Sequence, residues 1–228
     1  MSVYAIADLH LSHGADKPMD VFGAKWAGHT EKIAENWKKT VSGSDTVVIP
    51  GDISWGMDMD GAVEDLRYID SLPGRKIILK GNHDYWWMSM KKLREYKRIS
   101  GAESIDFLFN NAYIADNLIV CGTRGWISES DADDDGRKII LREAGRLTLS
   151  LAAAEKLKAE NPSASVAVFL HYPPNAAIAG VLRSNGITHC VCGHLHGIQP
   201  GKAPAEVEGI SVRLVSADYI GFTPVKIF

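Results

Sequence analysis

Short apolar runs that end abruptly at polar residues are the most regular pattern along this chain. Each run is about five residues long, and most are rich in valine or isoleucine. Runs of this length, without polar residues at alternate positions, are typical of strands buried on both faces. We predict a strand at each of five runs: Val3–Ala7, Thr46–Pro50, Lys76–Lys80, Val166–Leu170 and Thr188–Cys192.

Helical patterns lie between these runs. Apolar residues fall on one side of the predicted helices Thr30–Thr40 and Gly61–Leu72, and a long candidate, Lys138–Glu160, stops before Pro162. Strands that alternate with helices at this spacing predict βαβ units with right-handed crossovers. Three later segments read as further strands, in a second sheet: Phe107–Ala115, Leu118–Gly122 and Ser211–Ser216. No repeat or linker divides the chain, so we expect one domain over residues 1–228.

Polar residues with metal-binding side chains follow the five predicted strands directly. Ligands bind at the carboxyl ends of strands in open α/β sheets, so these residues are expected to share one site. Asp8 and His10 are two positions apart, as are His194 and His196, and in an extended segment such pairs project from the same side. The full set is Asp8, His10, Asp52, Asn82, His83, Asp84, His171, His194 and His196.

The chemistry of this set indicates a site for transition metals. Imidazole, carboxylate and amide oxygen together suit Mn²⁺, Fe²⁺ or Zn²⁺ better than Mg²⁺ alone. Two such ions held close together can hydrolyse a phosphate ester without a covalent intermediate. We therefore expect two divalent transition-metal ions as cofactors and leave their identity open.

The ordered segments resemble the signature of the calcineurin-like binuclear metallophosphoesterases. That signature is D-x-H, then G-D, then G-N-H-[DE], then H, then G-H-x-H, and the chain matches each part in order from Asp8 to His196. The resemblance implies an α/β four-layer sandwich, in which two mixed β-sheets pack face to face between helices. It places the metal site at the carboxyl ends of the strands.

The resemblance also implies a role for each matched residue. Asp8, His10, Asp52 and His196 would bind the first ion, and Asp52, Asn82, His171 and His194 the second. His83 would be the catalytic histidine that contacts the phosphate, and Asp84 would hydrogen-bond its other imidazole nitrogen. The implied reaction is hydrolysis of a phosphomonoester or phosphodiester, by in-line attack of a hydroxide that bridges the ions.

Residues near the motifs suggest contacts with substrate. Trp55 and Tyr172 could wall a pocket, although core packing is the simpler explanation for either one. Arg124 could clamp a phosphate oxygen or lie on the surface. The acidic segment 131–136 resembles the start of a calcium loop, but Arg142 stands where a bidentate glutamate is needed. We predict a solvated acidic loop that precedes a helix.

Composition limits the partners. The chain has 228 residues and a net charge of −3, which gives no overall electrostatic case for binding nucleic acid or a membrane. No leader-like segment or long apolar run is evident, and the three cysteines read as buried reduced thiols, so we expect a cytoplasmic protein. A small phosphate ester is the expected substrate, and the oligomeric state is left open. Two alternatives are a metal-dependent nuclease, with Lys91–Arg98 as its nearest basic stretch, and a non-catalytic scaffold.

Overall fold

Eleven strands form two sheets, and five α-helices cover the outer faces, in a computed structural model that describes all 228 residues. The strands are β1 (Val3–Ala5), β2 (Thr46–Pro50), β3 (Arg75–Leu79), β4 (Ile105–Phe107), β5 (Ala112–Ala115), β6 (Leu118–Thr123), β7 (Ser165–Leu170), β8 (His189–Cys192), β9 (Glu206–Val207), β10 (Ile210–Leu214) and β11 (Val225–Lys226). The helices are α1 (His29–Thr40), α2 (Met59–Ser71), α3 (Met90–Ser100), α4 (Asp134–Glu160) and α5 (Ala176–Ser184), with short 3₁₀ turns at Met19–Phe22 and Ala24–Trp26.

Both sheets are mixed. The first has the strand order β11-β1-β2-β3-β4, with β1 to β4 parallel and β11 antiparallel at the edge. The second has the order β5-β6-β7-β8-β10-β9, with a parallel centre and an antiparallel strand at each edge. The parallel strands of each sheet end at the same side, which brings the predicted polar segments together.

Three separate apolar cores show that the molecule has four layers. In β2, Val48 points into the core between the two sheets, whereas Val47 and Ile49 point into the core beneath α1 and α2. A third core lies between the second sheet and α4 and α5. All five residues of β2 are buried because both faces of the strand are covered. The predicted α/β sandwich of two mixed sheets flanked by helices is therefore confirmed.

One predicted strand is wrong. Phe107–Ala115 is not continuous: β4 ends at Phe107 in the first sheet, and β5 begins at Ala112 in the second. Asn110 between them has a positive φ of 58°, and the side chain of Asn111 accepts a hydrogen bond from the backbone N–H of Phe109 at 2.7 Å. This turn carries the chain from one sheet to the other, and the apolar pattern on either side hides it.

The helices were predicted with less accuracy than the strands. Helix α5 was not predicted, and α4 begins at Asp134, four residues before the predicted start. The acidic segment explains the earlier start, because the Asp133 side chain accepts a hydrogen bond from Gly136 N at 2.7 Å and caps the helix. Asp134 pairs with Arg137, one helical turn further on. No helix combines the length and the apolar character that crossing a bilayer requires.

Candidate metal centre

The loops that follow β1, β2 and β8 hold the backbone in an unusual conformation. Asp8, His10, Asp52 and His194 all have positive φ angles, between 45° and 69°. Residues with a Cβ adopt this left-handed region rarely, and strain of this kind concentrates at functional sites. The fold therefore holds four of the predicted ligands in conformations that local preferences alone would not select.

The glycines of the motifs leave space for the ligands beside them. A Cβ on Gly193 would lie 2.5 Å from Asp8 Oδ2, and a Cβ on Gly81 would collide with the carboxylate of Asp52. These positions must be glycine because acidic side chains from adjacent loops occupy the space. The G-D, G-N-H-D and G-H-x-H segments thus fit closely against one another and against Asp8.

The predicted ligands form two adjacent groups. Within each group, the candidate ligand atoms lie within 4.8 Å of one another. In the first group, the Nε2 atoms of His10 and His196 are 3.2 Å apart, and Asp8 Oδ1 is 3.7 Å from His196 Nε2. The second group brings Asn82 Oδ1 to 2.7 Å from His171 Nε2. The groups are Asp8, His10 and His196, and Asp52, His171 and His194.

Asp52 lies between the two groups. Its Oδ2 atom is 3.8 Å from His10 Nε2 in the first group and 3.5 Å from His171 Nε2 in the second. Its Oδ1 atom accepts a hydrogen bond from the backbone N–H of His83 at 2.8 Å, which fixes the carboxylate. Asp8 Oδ1 also lies 3.7 Å from His171, but it faces Nδ1, which already donates to Pro50 O. Asp52 instead faces Nε2 atoms of both groups, as a bridging ligand would.

Two histidines have a tautomer that exposes a lone pair to the centre. His171 Nδ1 donates to the carbonyl oxygen of Pro50 at 3.0 Å, and His196 Nδ1 donates to Asp218 Oδ1 at 2.9 Å. A proton on Nδ1 leaves Nε2 free to bind a metal, and this second hydrogen bond also orients the ring. Asp218 and Pro50 were not predicted to contribute.

Burial sets the charge state of the centre. It lowers the pKa of His171 and of His194 to about 3 and that of His10 well below its usual range, so all three imidazoles are neutral at physiological pH. Burial also raises the pKa of Asp8 to about 8, and the nearby charge of Asp52 adds to that effect. Because the carboxylates are desolvated and these three imidazoles carry no charge, a bound cation would stabilise the ionised carboxylates.

Three observations test whether these residues fit metal ions. Asp8 Oδ1 is fully buried and has no hydrogen-bond partner. With the proton of His171 on Nδ1, its Nε2 lone pair faces the oxygen of Asn82 at 2.7 Å, with no hydrogen between them. The donors are the nitrogen and oxygen atoms that Mn²⁺, Fe²⁺ and Zn²⁺ prefer. The residues present therefore fit a pair of divalent cations.

His83 lies beside the centre and in neither ligand group. Its ring is 5.7 Å from His10 and 4.5 Å from Trp55, measured between ring centroids. Its Nδ1 is buried without a hydrogen-bond partner, and its side chain lines the large cavity described below. This position leaves the imidazole available to a molecule bound over the metal ligands.

The predicted hydrogen bond between Asp84 and the His83 ring does not form. Instead, the two carboxylate oxygens of Asp84 accept five hydrogen bonds, three from the loop after β2 and two from its own loop after β3. Asp84 is fully buried, which raises its pKa to about 6. Asp84 therefore holds the backbone of the loop that carries Asp52 in place. Although Asp84 follows His83 directly in sequence, the two side chains point in different directions. The donors are Asp52 N, Ile53 N, Ser54 N, Gly81 N and Trp86 Nε1.

The three predicted substrate contacts lie in different surroundings. Trp55 is half-buried and stacks on His10 with 4.9 Å between ring centroids. Tyr172 is buried and packs against His194 at 3.9 Å. The guanidinium of Arg124 lies over Trp126 at 4.4 Å and pairs with the buried Glu143 at 3.4 Å. Trp55 lines the large cavity, whereas Tyr172 and Arg124 do not. Contact with substrate stays a prediction for all three residues.

A cavity of about 540 Å³ opens beside the first ligand group. Met19, Trp26 and Asp218 line it, and none of them was predicted to belong to the site. Trp26 and Met19 lie in the 3₁₀ turns before α1, where no periodicity marks them in the sequence. Asp218 fits the same pattern as the predicted site residues, because it is an acidic residue just after a predicted strand, Ser211–Ser216.

Comparison with known proteins places the chain in a family. The family described as calcineurin-like phosphoesterase matches residues 1–197. The Gene 66 protein of Mycobacterium phage L5 is 36% identical over 78 residues, which are 34% of this chain and 37% of that protein. The Gene 66 protein of Mycobacterium phage D29 is 38% identical over 85 residues, 36% of this chain and 40% of that protein. The matched segments thus span well under half of these relatives.

Solved structures support the fold. The protein TT1561 of Thermus thermophilus superposes with a TM-score of 0.58 at 12% identity, covering 99% of this chain and 97% of that one. The Aquifex aeolicus protein AQ665, described as a protein of unknown function, gives a TM-score of 0.56 at 16% identity, covering 99% and 95%. At these identities the likeness concerns architecture alone.

Proposed function

Because this chain belongs to the calcineurin-like phosphoesterase family, we propose that it is a binuclear metal-dependent hydrolase of a phosphomonoester or phosphodiester. Membership of the family supports a metal-dependent hydrolase, and the substrate and reaction are our proposal. The observation that carries it is the position of Asp52, whose Oδ2 lies 3.8 Å from His10 Nε2 and 3.5 Å from His171 Nε2. A carboxylate between two sets of imidazoles is what a pair of ions needs as a shared ligand.

The ligands divide between the two ions as follows. Asp8, His10, Asp52 and His196 would hold the first, and Asp52, Asn82, His171 and His194 the second. When bound, a pair of divalent ions supplies a hydroxide nucleophile near neutral pH and offsets the negative charge that develops on the phosphate oxygens. Hydrogen bonds from His171 to Pro50 O and from His196 to Asp218 keep these two rings oriented for that task.

His83 would act on the leaving group. Its backbone N–H is anchored to Asp52 Oδ1 at 2.8 Å, so the residue is held at a fixed place beside the centre. The imidazole would donate a proton to the departing oxygen, because an alcohol leaves more readily than an alkoxide. Asp84 contributes to this arrangement only indirectly, by holding the loop that carries Asp52.

The experiment begins by removing metal from the purified protein with a chelator and then restoring Mn²⁺. Hydrolysis of p-nitrophenyl phosphate and of its bis-ester is measured on wild type and on the Asp52→Asn variant. We expect turnover of at least one ester by the Mn²⁺-loaded wild type and loss of both activity and bound metal in the variant. Wild-type protein that binds two ions and hydrolyses neither these esters nor cyclic nucleotides would contradict the proposal and favour the scaffold alternative.

A further inference from the structure

The cavity beside the first ligand group has aromatic and apolar walls. Its volume of about 540 Å³ lies within the range of roughly 300–1,000 Å³ that is usual for small-molecule sites. That is more space than a phosphate group alone would need. The apolar side chains that line it are Met19, Phe22, Trp26 and Trp55.

The aromatic walls begin directly at the metal ligands. Trp55 stacks on the ring of His10 with an interplanar angle of 24°, and Trp26 meets the same ring edge-on at 5.8 Å. Trp26 also meets His196 edge-on at 5.6 Å. The Lys17 ammonium also lies over the Trp55 ring, at 4.5 Å, and Trp26 is buried. A ring bound in the cavity would therefore stack mainly on the exposed Phe22, while an attached phosphate lay over the predicted ligands.

Most polar atoms of the lining are already engaged. The Nε1 of Trp55 donates to the sulfur of Met19 at 3.1 Å. Both carboxylate oxygens of Asp218 are occupied, one by His196 Nδ1 and the other by the backbone N–H of Gly197. The polar groups of the lining without a partner are the Lys25 ammonium and the buried Nδ1 atoms of His10 and His83. Recognition here would depend on shape and stacking more than on hydrogen bonds.

The position of His83 indicates which part of a substrate the cavity holds. His83 lines this cavity together with His10 and His196. If His83 protonates the leaving oxygen, the leaving group must lie next to it, and the adjoining space is the aromatic cavity. This step rests on the proposed function.

We propose that the cavity binds the leaving group of the ester, and that this group carries a flat aromatic ring system. Stacking on an aromatic side chain such as Phe22 is favourable for any such ring, so an aryl alcohol and a nucleoside share the chemistry that the site offers. Because the walls hold few free hydrogen-bonding groups, the site would favour a flat ring without distinguishing the polar substituents on it.

Two pairs of substrates test this inference. Turnover of 2-naphthyl phosphate is compared with that of phenyl phosphate, and turnover of adenosine 5′-phosphate with that of ribose 5-phosphate. In each pair the phosphate is the same and the flat surface differs. We expect kcat/KM to be higher by ~10-fold for the member with the larger ring system in at least one pair. A preference confined to the first pair identifies an aryl alcohol, and one confined to the second a nucleoside.

A matched pair of variants separates the cavity from the centre. Phe22 lines the cavity and is 60% exposed, whereas Val21 is its neighbour in the same 3₁₀ turn, is 71% exposed and lies outside the lining. Neither side chain supports the core, so both variants should fold. Phe22→Ala should lower kcat/KM for the preferred large-ring substrate by about fivefold, with less effect on its small partner, and Val21→Ala should change neither.

A binding measurement keeps this inference separate from catalysis. Equilibrium dialysis of 2-naphthol and of adenosine against the Mn²⁺-loaded protein needs no turnover. We expect at least one of them to bind wild type and Val21→Ala equally and Phe22→Ala more weakly. If no ester is hydrolysed but binding follows this pattern, the proposed function fails and the aromatic site stands. If esters are hydrolysed without preference in either pair, or if neither probe binds, the aromatic site is refuted.

Discussion

Asp218 Oδ1 accepts a hydrogen bond from Nδ1 of His196 at 2.9 Å, although Asp218 lies beyond residues 1–197, which match the family. The second oxygen of Asp218 accepts from the backbone N–H of Gly197 at 2.8 Å. Although burial opposes it, this contact raises the pKa of His196 above its ordinary value. The C-terminal segment therefore orients a histidine that is predicted to bind metal.

Removing this contact should weaken metal binding. We expect Asp218→Ala to lower affinity for the first ion by ~10–100-fold, because the imidazole loses the partner that fixes its tautomer and orientation. Asp218→Asn should lose less, since its amide oxygen can still accept from Nδ1. Titration with Mn²⁺ measures both, and equal affinity in wild type and Asp218→Ala would refute the role of Asp218.

Asp84 should prove structural. Asp84→Ala leaves five buried donors without their acceptor, so we expect the free energy of unfolding to fall by at least ~3 kcal/mol. Asp65→Ala is the comparison, because Asp65 is also fully buried but accepts only three hydrogen bonds, from Ser54 and His13, so its loss should cost less. Denaturant unfolding of the metal-free proteins measures both, and an Asp84→Ala variant as stable as wild type would contradict this assignment.

His83 should matter for turnover and not for metal content. We expect His83→Ala to retain both ions and lose ~10²–10⁴-fold in kcat, since the residue lies in neither ligand group but lines the cavity beside them. The loss should be smaller for esters of more acidic alcohols, which need less protonation. Metal content and rate are measured on one sample, and loss of an ion from the variant would make His83 a ligand instead.

Metal should stabilise the protein more as the pH rises from about 6.5 to 7.5. In the metal-free protein, burial raises the pKa of Asp8 to about 8, so the folded state holds a proton that the unfolded state has released. The free energy of unfolding of the metal-free protein therefore falls as the pH rises through this window. Metal displaces that proton, so affinity rises with pH. Thermal unfolding with and without Mn²⁺ should show a widening difference, and a constant or narrowing one would contradict the assignment.

The sequence predicted which polar side chains lie together better than it predicted their surroundings. Asp8, Asp52 and His171 follow buried strands directly, so the parallel topology that the strands imply is enough to gather them. The direction of the Asp84 side chain could not be predicted. Three of its hydrogen-bond donors lie in the loop after β2, about thirty residues earlier, and no pattern in the sequence links them to Asp84. Trp26 reaches the site from a 3₁₀ turn whose path depends on packing against Phe222, near the other end of the chain.

On the proposed function, Asp52 joins two metal ions in one centre. The most direct test is to titrate metal-free protein with Mn²⁺ and to record the electron paramagnetic resonance spectrum at each addition. We predict that two ions bind per chain and that the signal of isolated Mn²⁺ gives way to that of an exchange-coupled pair. Binding of a single ion, or of two ions that stay magnetically independent, would contradict it.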